Sequence, residues 1–160
     1  MSDDVGQHSV LFVCLGNICR SPLAEGVFRA RLEARGLSAR FHVDSCGTGA
    51  WHVGNGPDPR SVAVARDHGI DISGQRARQL SPADFRQFDW IVAMDTSNYR
   101  GCQSRAPGDF SGEIVTFMSF VSHAHGPDVP DPYYGGGDGF ERVFRILDRG
   151  MEPLLDHILG

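Results

Sequence analysis

Ser9-Val10-Leu11-Phe12-Val13-Cys14-Leu15-Gly16-Asn17-Ile18-Cys19-Arg20-Ser21-Pro22 is the stretch from which the fold can be read. Ser9–Cys14 is a continuous apolar run, the pattern of a strand covered on both faces. Ser21-Pro22 then supplies an N-cap and a proline at the first helical position. Leu23, Val27, Ala30 and Ala34, with Ala24, Phe28 and Leu32, follow at helical spacing, and Gly36 marks the stop. A buried strand that turns directly into a helix is the opening unit of an α/β sheet.

The same alternation continues along the chain. Phe41–Asp44 reads as a second strand. Asp58-Pro59 repeats the cap-plus-proline signal for a helix running to His68 and stopped by Gly69, and Ser81-Pro82 does so for a short helix. Trp90–Met94 is a third strand, followed by a short helix from about Ser97, and Glu113–Met118 is a fourth strand. Asp138-Gly139-Phe140-Glu141 resembles a capping box and opens a helix with Phe140, Val143, Phe144, Leu147 and Met151 on one face. Pro153 falls inside that pattern and is expected to kink or split the helix. Strands separated by helices predict a parallel sheet with right-handed crossovers, helices on both faces, and ligands beyond the carboxyl ends of the strands. At 160 residues a single domain over 1–160 is expected.

Composition removes several classes of function. The longest apolar run, Val10–Leu15, is far short of the roughly 20 residues that span a bilayer. Fifteen arginines, no lysine and twenty acidic residues give a net charge of −5. Twelve of the arginines precede residue 106, and residues 106–160 hold three against nine acids. That balance argues against a nucleic-acid module, which needs a basic face. It points instead to single basic side chains binding an anion inside a site. The acidic N-terminus shows no secretory signal, so the cytoplasm is the expected compartment and Cys14, Cys19, Cys46 and Cys102 are expected to be reduced thiols. Cys14-x4-Cys19 is not a zinc-ribbon spacing, and no metal site is expected.

The chemistry concentrates where the first strand gives way to the first helix. A helix N-terminus exposes unpaired N–H groups and a positive partial charge, and a loop wound around it forms an anion cradle. Gly16 and Asn17 tolerate positive φ and let the loop curl. Arg20 adds a planar fork for two phosphate oxygens. Cys14 in the same field is placed to react as a thiolate, and Ser21 can cap the helix or donate to its sulfur. A cysteine followed six positions later by arginine is weak as a spacing alone. The bland reading is a buried strand-end thiol beside a solvated arginine. Context weighs against it, because arginine at a helix N-terminus is unfavourable without an anion. The second feature is Asp131-Pro132-Tyr133-Tyr134-Gly135-Gly136-Gly137. Here a carboxylic acid beside a rigid proline can protonate a leaving oxygen, and the tyrosines can flank an aromatic ligand; an Asp-Pro turn with surface tyrosines is the alternative.

Taken in order, the CLGNICRSP loop, SCGTGAWHVG, ARQL, AMDTSN and DPYYGG resemble low-molecular-weight protein tyrosine phosphatases over about residues 9–159. The resemblance implies a three-layer α/β fold with a four-stranded parallel sheet in flavodoxin-like order 2-1-3-4. It also implies hydrolysis of phosphotyrosine and small aryl phosphates without metal or cofactor, in a monomer or weak dimer. In that family's terms Cys14 matches the nucleophile forming a phosphocysteine intermediate. Arg20 matches the phosphate-binding side chain, helped by loop N–H groups of Leu15, Gly16, Asn17, Ile18, Cys19 and Arg20. Asp131 matches the general acid that later serves as base. Asn17 and Ser45 match a network that holds the loop, Ser21 the group tuning the thiolate, and Asp95 a support of the active-site loops. Cys19 matches a thiol that forms a reversible disulfide with Cys14. Leu15, Trp51, Tyr133 and Tyr134 match the cleft walls. Ile18 suits phosphotyrosine, since the related arginine phosphatases place threonine there. Gln75 departs from the family, several members of which carry histidine in the supporting network.

Other residues have blander expectations. His52 either touches substrate or is a solvated loop histidine; His123 and His125 are surface loop; Met94 and Met118 are core; Cys46 and Cys102 are inert, although Cys46 could lie near the cleft. Two other functions fit less well. A thiol-dependent arsenate reductase needs a relay of further cysteines, and only Cys46 and Cys102 remain outside the loop. A non-catalytic phosphopeptide-binding module needs neither nucleophile nor acid.

Overall fold

A computed structural model describes residues 7–121, 126–133 and 138–160. Its strands are β1 (His8–Cys14), β2 (Phe41–Gly47), β3 (Trp90–Ala93) and β4 (Glu113–Thr116). All pair in parallel in the order β2-β1-β3-β4. The helices are α1 (Arg20–Ala34), α2 (Pro59–Asp67), the single turn α3 (Asp84–Gln87), α4 (Thr96–Arg105) and α5 (Gly139–Leu159). The expected α/β class, strand order and helices on both faces are all present.

β1 runs through the middle, and its side chains alternate between two cores. Val10, Phe12 and Cys14 join Leu23, Val27 and Phe28 of α1 and Val143, Leu147 and Met151 of α5. Leu11 and Val13 join Phe85, Phe88, Ile91 and Cys102 on the other face. Each buried Leu or Phe stabilises the fold by roughly 1.5–3 kcal/mol. A one-residue slip of β1 would swap the two sets of side chains, so register is strongly fixed. Its carboxyl end, Cys14, therefore arrives at one place.

Several boundaries match their sequence signals. Asp58 caps α2, accepting the Arg60 N–H at 2.8 Å, with proline next to it. Gly36 and Gly69, at φ 68 and 79, close α1 and α2. Met94 and Met118 are core.

Four expectations are corrected. The strands β2 and β4 differ in length from their apolar patterns: β2 continues to Gly47, and β4 ends at Thr116 where a 3-10 turn begins. Ser21 is not the cap of α1. Cys19 holds that position without a side-chain bond, and the Ser21 hydroxyl is committed elsewhere. Asp138 makes no side-chain cap, and Glu141 turns to His68 and Arg145 rather than back to it, so no capping box forms. Pro153 does not split α5, which runs unbroken over 21 residues. Pro153 and Arg149, whose carbonyl loses its donor, are both exposed, so water can satisfy that oxygen. Opposite them Leu147, Met151, Leu154 and Leu155 are fully buried and hold the helix together.

Candidate active site

Among the described residues the β1–α1 junction leaves five peptide donors without protein partners. Among the described residues the N–H groups of Leu15, Gly16, Ile18, Cys19 and Arg20 have no protein acceptor. Leu15, Gly16, Ile18, Cys19 and Arg20, with Cys14, line a cleft of about 380 Å³ that Trp51, His52, Asp131 and Tyr133 complete. Unpaired amides at a helix start, on residues that line a cavity together with an arginine, suit a tetrahedral oxyanion.

The loop's shape is held from behind. Asn17 is its left-handed residue, at φ 58, and its side chain points away from the cleft. Gly16 does not take positive φ; a Cβ there would meet His52 Cδ2 at 3.0 Å. Gly47, at the end of β2, is required by close approach, since a Cβ would lie 2.7 Å from the Leu15 carbonyl. Asn17 Nδ2 donates to Ser21 Oγ at 2.8 Å and to Ser45 Oγ at 3.0 Å, and Asn17 Oδ1 accepts the Arg78 N–H at 3.0 Å. Cys14 Sγ lies 3.0 Å from Ser21 Oγ and accepts the Asn17 N–H at 3.3 Å.

Arg20 is 3% exposed. Its Nη1 donates to Asp95 Oδ2 at 2.7 Å and to the Val129 carbonyl at 3.0 Å, while Nη2 lies 3.7 Å from Asp131 Oδ2. Burial works against its charge, but Cys14, Asp95 and Asp131 outweigh it and hold the guanidinium above its ordinary value. Asp95 also caps α4 through the Asn98 N–H. Asp131 Oδ1 accepts the Tyr133 N–H at 3.1 Å, which leaves Oδ2 toward Arg20. The segment bearing Asp131 is tied down at both ends. Asp128 accepts from the Thr96 N–H and hydroxyl at 2.8 Å each, and the Val129 N–H donates to the Met94 carbonyl. At the other end Arg60 donates to the Tyr133 carbonyl at 3.3 Å and stacks over Phe140, its charge held by Asp58.

Cys19 is buried, and that burial, with the charges of Asp58, Cys14 and Asp131, pushes its thiol up to about 12 against the pull of Arg60. Cys46 does not line the cleft. It is fully buried with Cys102 in the second core, and burial raises both thiols. Ile18 lies in the cleft wall, Trp51 and Leu15 are exposed at its rim, and His52 lies beside Tyr133. Gln75 donates to the Pro22 carbonyl at 3.1 Å and takes no part in the loop's bonds. Tyr134, His123 and His125 lie outside the described residues. Glu25, Arg60 and the Val129 carbonyl carry no local sequence signal.

A thiol beside unpaired amides and a buried arginine, at the end of the first strand of a four-stranded parallel sheet, defines the class. Residues 9–159 match the family described as Low molecular weight phosphotyrosine protein phosphatase. The chain is 54% identical over 132 residues to the low molecular weight phosphotyrosine protein phosphatase of Schizosaccharomyces pombe, covering 82% of this chain and 84% of that protein. The crystal structure of YfkJ from Bacillus subtilis shares 43% identity, with a TM-score of 0.88 over 95% of this chain and 94% of that one. That of a protein tyrosine phosphatase from Entamoeba histolytica shares 38%, with a TM-score of 0.90 over 95% and 97%. The chain belongs to the low molecular weight phosphotyrosine protein phosphatase family and is a protein-tyrosine-phosphatase.

Proposed function

We propose that this enzyme hydrolyses phosphotyrosine in proteins, and small aryl phosphates, through a phosphocysteine formed on Cys14. The observation that carries the reading is one cleft lined by a thiol, five amides unpaired among the described residues, a buried guanidinium and a carboxyl group. Cys14 Sγ attacks phosphorus, an S–P bond forms, and the P–O bond to the tyrosine breaks. The Asp131 carboxyl gives its proton to the departing phenolate oxygen. Arg20 and the loop amides hold the other three oxygens as their charge spreads in the transition state. Water then attacks phosphorus while Asp131 takes its proton; the S–P bond breaks and phosphate leaves. Asp95 and Ser45 support the loop and its arginine. Leu15, Ile18, Trp51 and Tyr133 supply apolar walls for the aryl ring, with Tyr134 expected beside them.

Charge stabilisation comes from amides and Arg20, so the reading requires no metal or cofactor. Among the described residues no three His, Cys, Asp or Glu side chains are grouped to hold a metal ion. We read residues 1–160 as one domain working on phosphoprotein substrates in the cytoplasm, where buried free thiols such as Cys46 and Cys102 persist. Under peroxide Cys14 and Cys19 pair as a reversible disulfide. Arsenate reduction is disfavoured because the remaining thiols, Cys46 and Cys102, are fully buried.

The test is hydrolysis of aryl phosphates in EDTA. Cys14→Ser is expected to abolish turnover, and retained activity overturns the reading. Asp131→Ala is expected to slow esters with poor leaving groups far more than those with good ones, and an equal loss removes Asp131 from the acid role.

A further inference from the structure

The Arg78 peptide N–H only donates, and it meets Asn17 Oδ1 at 3.0 Å. That contact fixes the Asn17 amide, so both hydrogens of Nδ2 go to the hydroxyls of Ser21 and Ser45. Each hydroxyl has then accepted once and has a single proton to give. Ser45 gives its proton to Glu25 Oε1 at 2.8 Å. Ser21 faces Cys14 Sγ at 3.0 Å and the Cys46 carbonyl at a longer 3.4 Å, so its proton goes to sulfur. Asn17, Ser21, Ser45 and Glu25 are all buried.

Every member of this relay except Glu25 both receives and gives. We infer that Glu25 is a positioning residue for catalysis: as the terminal acceptor of the Glu25–Ser45–Asn17–Ser21 relay, it takes the Ser45 proton, keeps Ser45 accepting from Asn17, and so braces the amide that holds Ser21 toward Cys14. The inference rests on Cys14 being the nucleophile. Gln75 lines the same outer cleft as Glu25 but donates to Pro22 instead, so the carboxylate alone ends the relay. Arg29 holds the other oxygen, Oε2, at 2.9 Å and fixes the side chain. Without Glu25 the Ser45 proton loses its acceptor in a buried site. If Ser45 turns that proton toward Asn17 it no longer accepts from Nδ2, and the side chain of the left-handed Asn17 loses one of its three bonds and part of its hold on Ser21.

The experiment follows alkylation of Cys14 by iodoacetate across pH, with the label located by mass spectrometry. Glu25→Leu is expected to slow alkylation at neutral pH about tenfold and to move the profile upward by about one unit, the size of one lost hydrogen bond to a charged group. Glu25→Gln keeps an acceptor for Ser45 and is expected to stay within about threefold of wild type. Ser45→Ala cuts the same link from the other side. It should match Glu25→Leu, and the double variant should be no worse than either alone. Leu32→Ala, a core truncation on the same helix, should lower stability without moving the profile. The charges near Cys14 (Arg20 and Asp131) and near Glu25 (Arg29 and Asp44) are unchanged throughout. A wild-type profile in Glu25→Leu, additive losses in the double variant, or an equal shift in Leu32→Ala each overturns the relay. If Glu25→Leu does not fold, a wild-type profile in Ser45→Ala overturns it as well. Turnover retained by Cys14→Ser would instead remove the reading of the site as a whole.

Discussion

Two arginine–carboxylate clusters occupy the two ends of α1. At its start Arg20 is 3% exposed and bonds Asp95 and the Val129 carbonyl at 2.7 and 3.0 Å. At its far end Arg31 and Arg35 meet Asp148, Glu152 and Asp156 of α5. The second cluster has more ion pairs, yet its carboxylates are about half exposed or more. Exposed pairs of that kind contribute roughly 0–1 kcal/mol each, because water screens them and ordering two side chains costs entropy. A buried guanidinium has no such alternative partner. Removing its carboxylate leaves charge in a poorly solvated place. Burial, not the count of contacts, decides which cluster the enzyme depends on.

The largest effect expected from that contrast is at Asp95. Asp95→Ala should cost about 3–5 kcal/mol in urea unfolding, of which the lost α4 cap is about 1. Asp95→Asn keeps the cap and isolates the charge. A total loss below about 1 kcal/mol would place Arg20 in the same category as the exterior pairs. Next comes Arg60, an exposed arginine with a buried task. Arg60→Ala removes a bond to the Tyr133 carbonyl, a ring contact with Phe140 and the ion pair with Asp58. Turnover of poor leaving groups should fall several-fold while Cys14 alkylation stays unchanged, and a parallel fall in alkylation would break the assignment of Arg60 to the acid segment.

Two carboxylates sharpen the comparison through pH. The Arg60 side-chain hydrogen bond, foremost, holds Asp58 below its ordinary 3.8, against the effect of burial. Its contribution is present above 3.8 and lost as pH falls through the folded value. The stability gap between wild type and Asp58→Asn should therefore hold from pH 7 to 5 and close in acid. Glu25 has the opposite sign. Burial raises it above its ordinary 4.5, only partly offset by Ser45 and Arg29. Its contribution is full below 4.5 and lost as pH rises through the folded value. Wild type should gain on Glu25→Gln as pH falls from 7, and slopes of the same sign in the two melts would contradict this. The smallest effect is at Arg35. Arg35→Ala should cost under about 1 kcal/mol, and the loss should vanish in 1 M salt; a larger, salt-insensitive loss would reverse the contrast.

What the sequence reveals and what it hides divide by range. β1, the turn into α1, the Asp58 cap and the glycine stops are legible because their causes lie within a few residues. The placing of Cys14, Arg20 and Asp131 around one cleft follows from strand order plus the resemblance. Ser21 misleads as a cap because a hydroxyl next to proline has two uses, and a thiol 3.0 Å away claims it. Pro153 misleads because helix breaking is a cost, and buried leucines on the opposite face exceed it. Glu25 meets Ser45 across 20 positions, Arg60 meets Tyr133 across 73, and Arg20 meets Val129 across 109. No local periodicity encodes contacts at such separations. Gly47 is similar, since its lack of a side chain answers to the Leu15 carbonyl on a different strand end.

The carbonyl of Val129 has a mechanical consequence. It grips the same nitrogen, Nη1, that Asp95 holds, two residues before Asp131. Arg20 and the segment that bears Asp131, the clamp and the acid of the proposed mechanism, are thereby linked through one atom. On the proposed roles of Arg20 and Asp131, a displacement of the arginine by a bound anion is passed to the acid through that nitrogen.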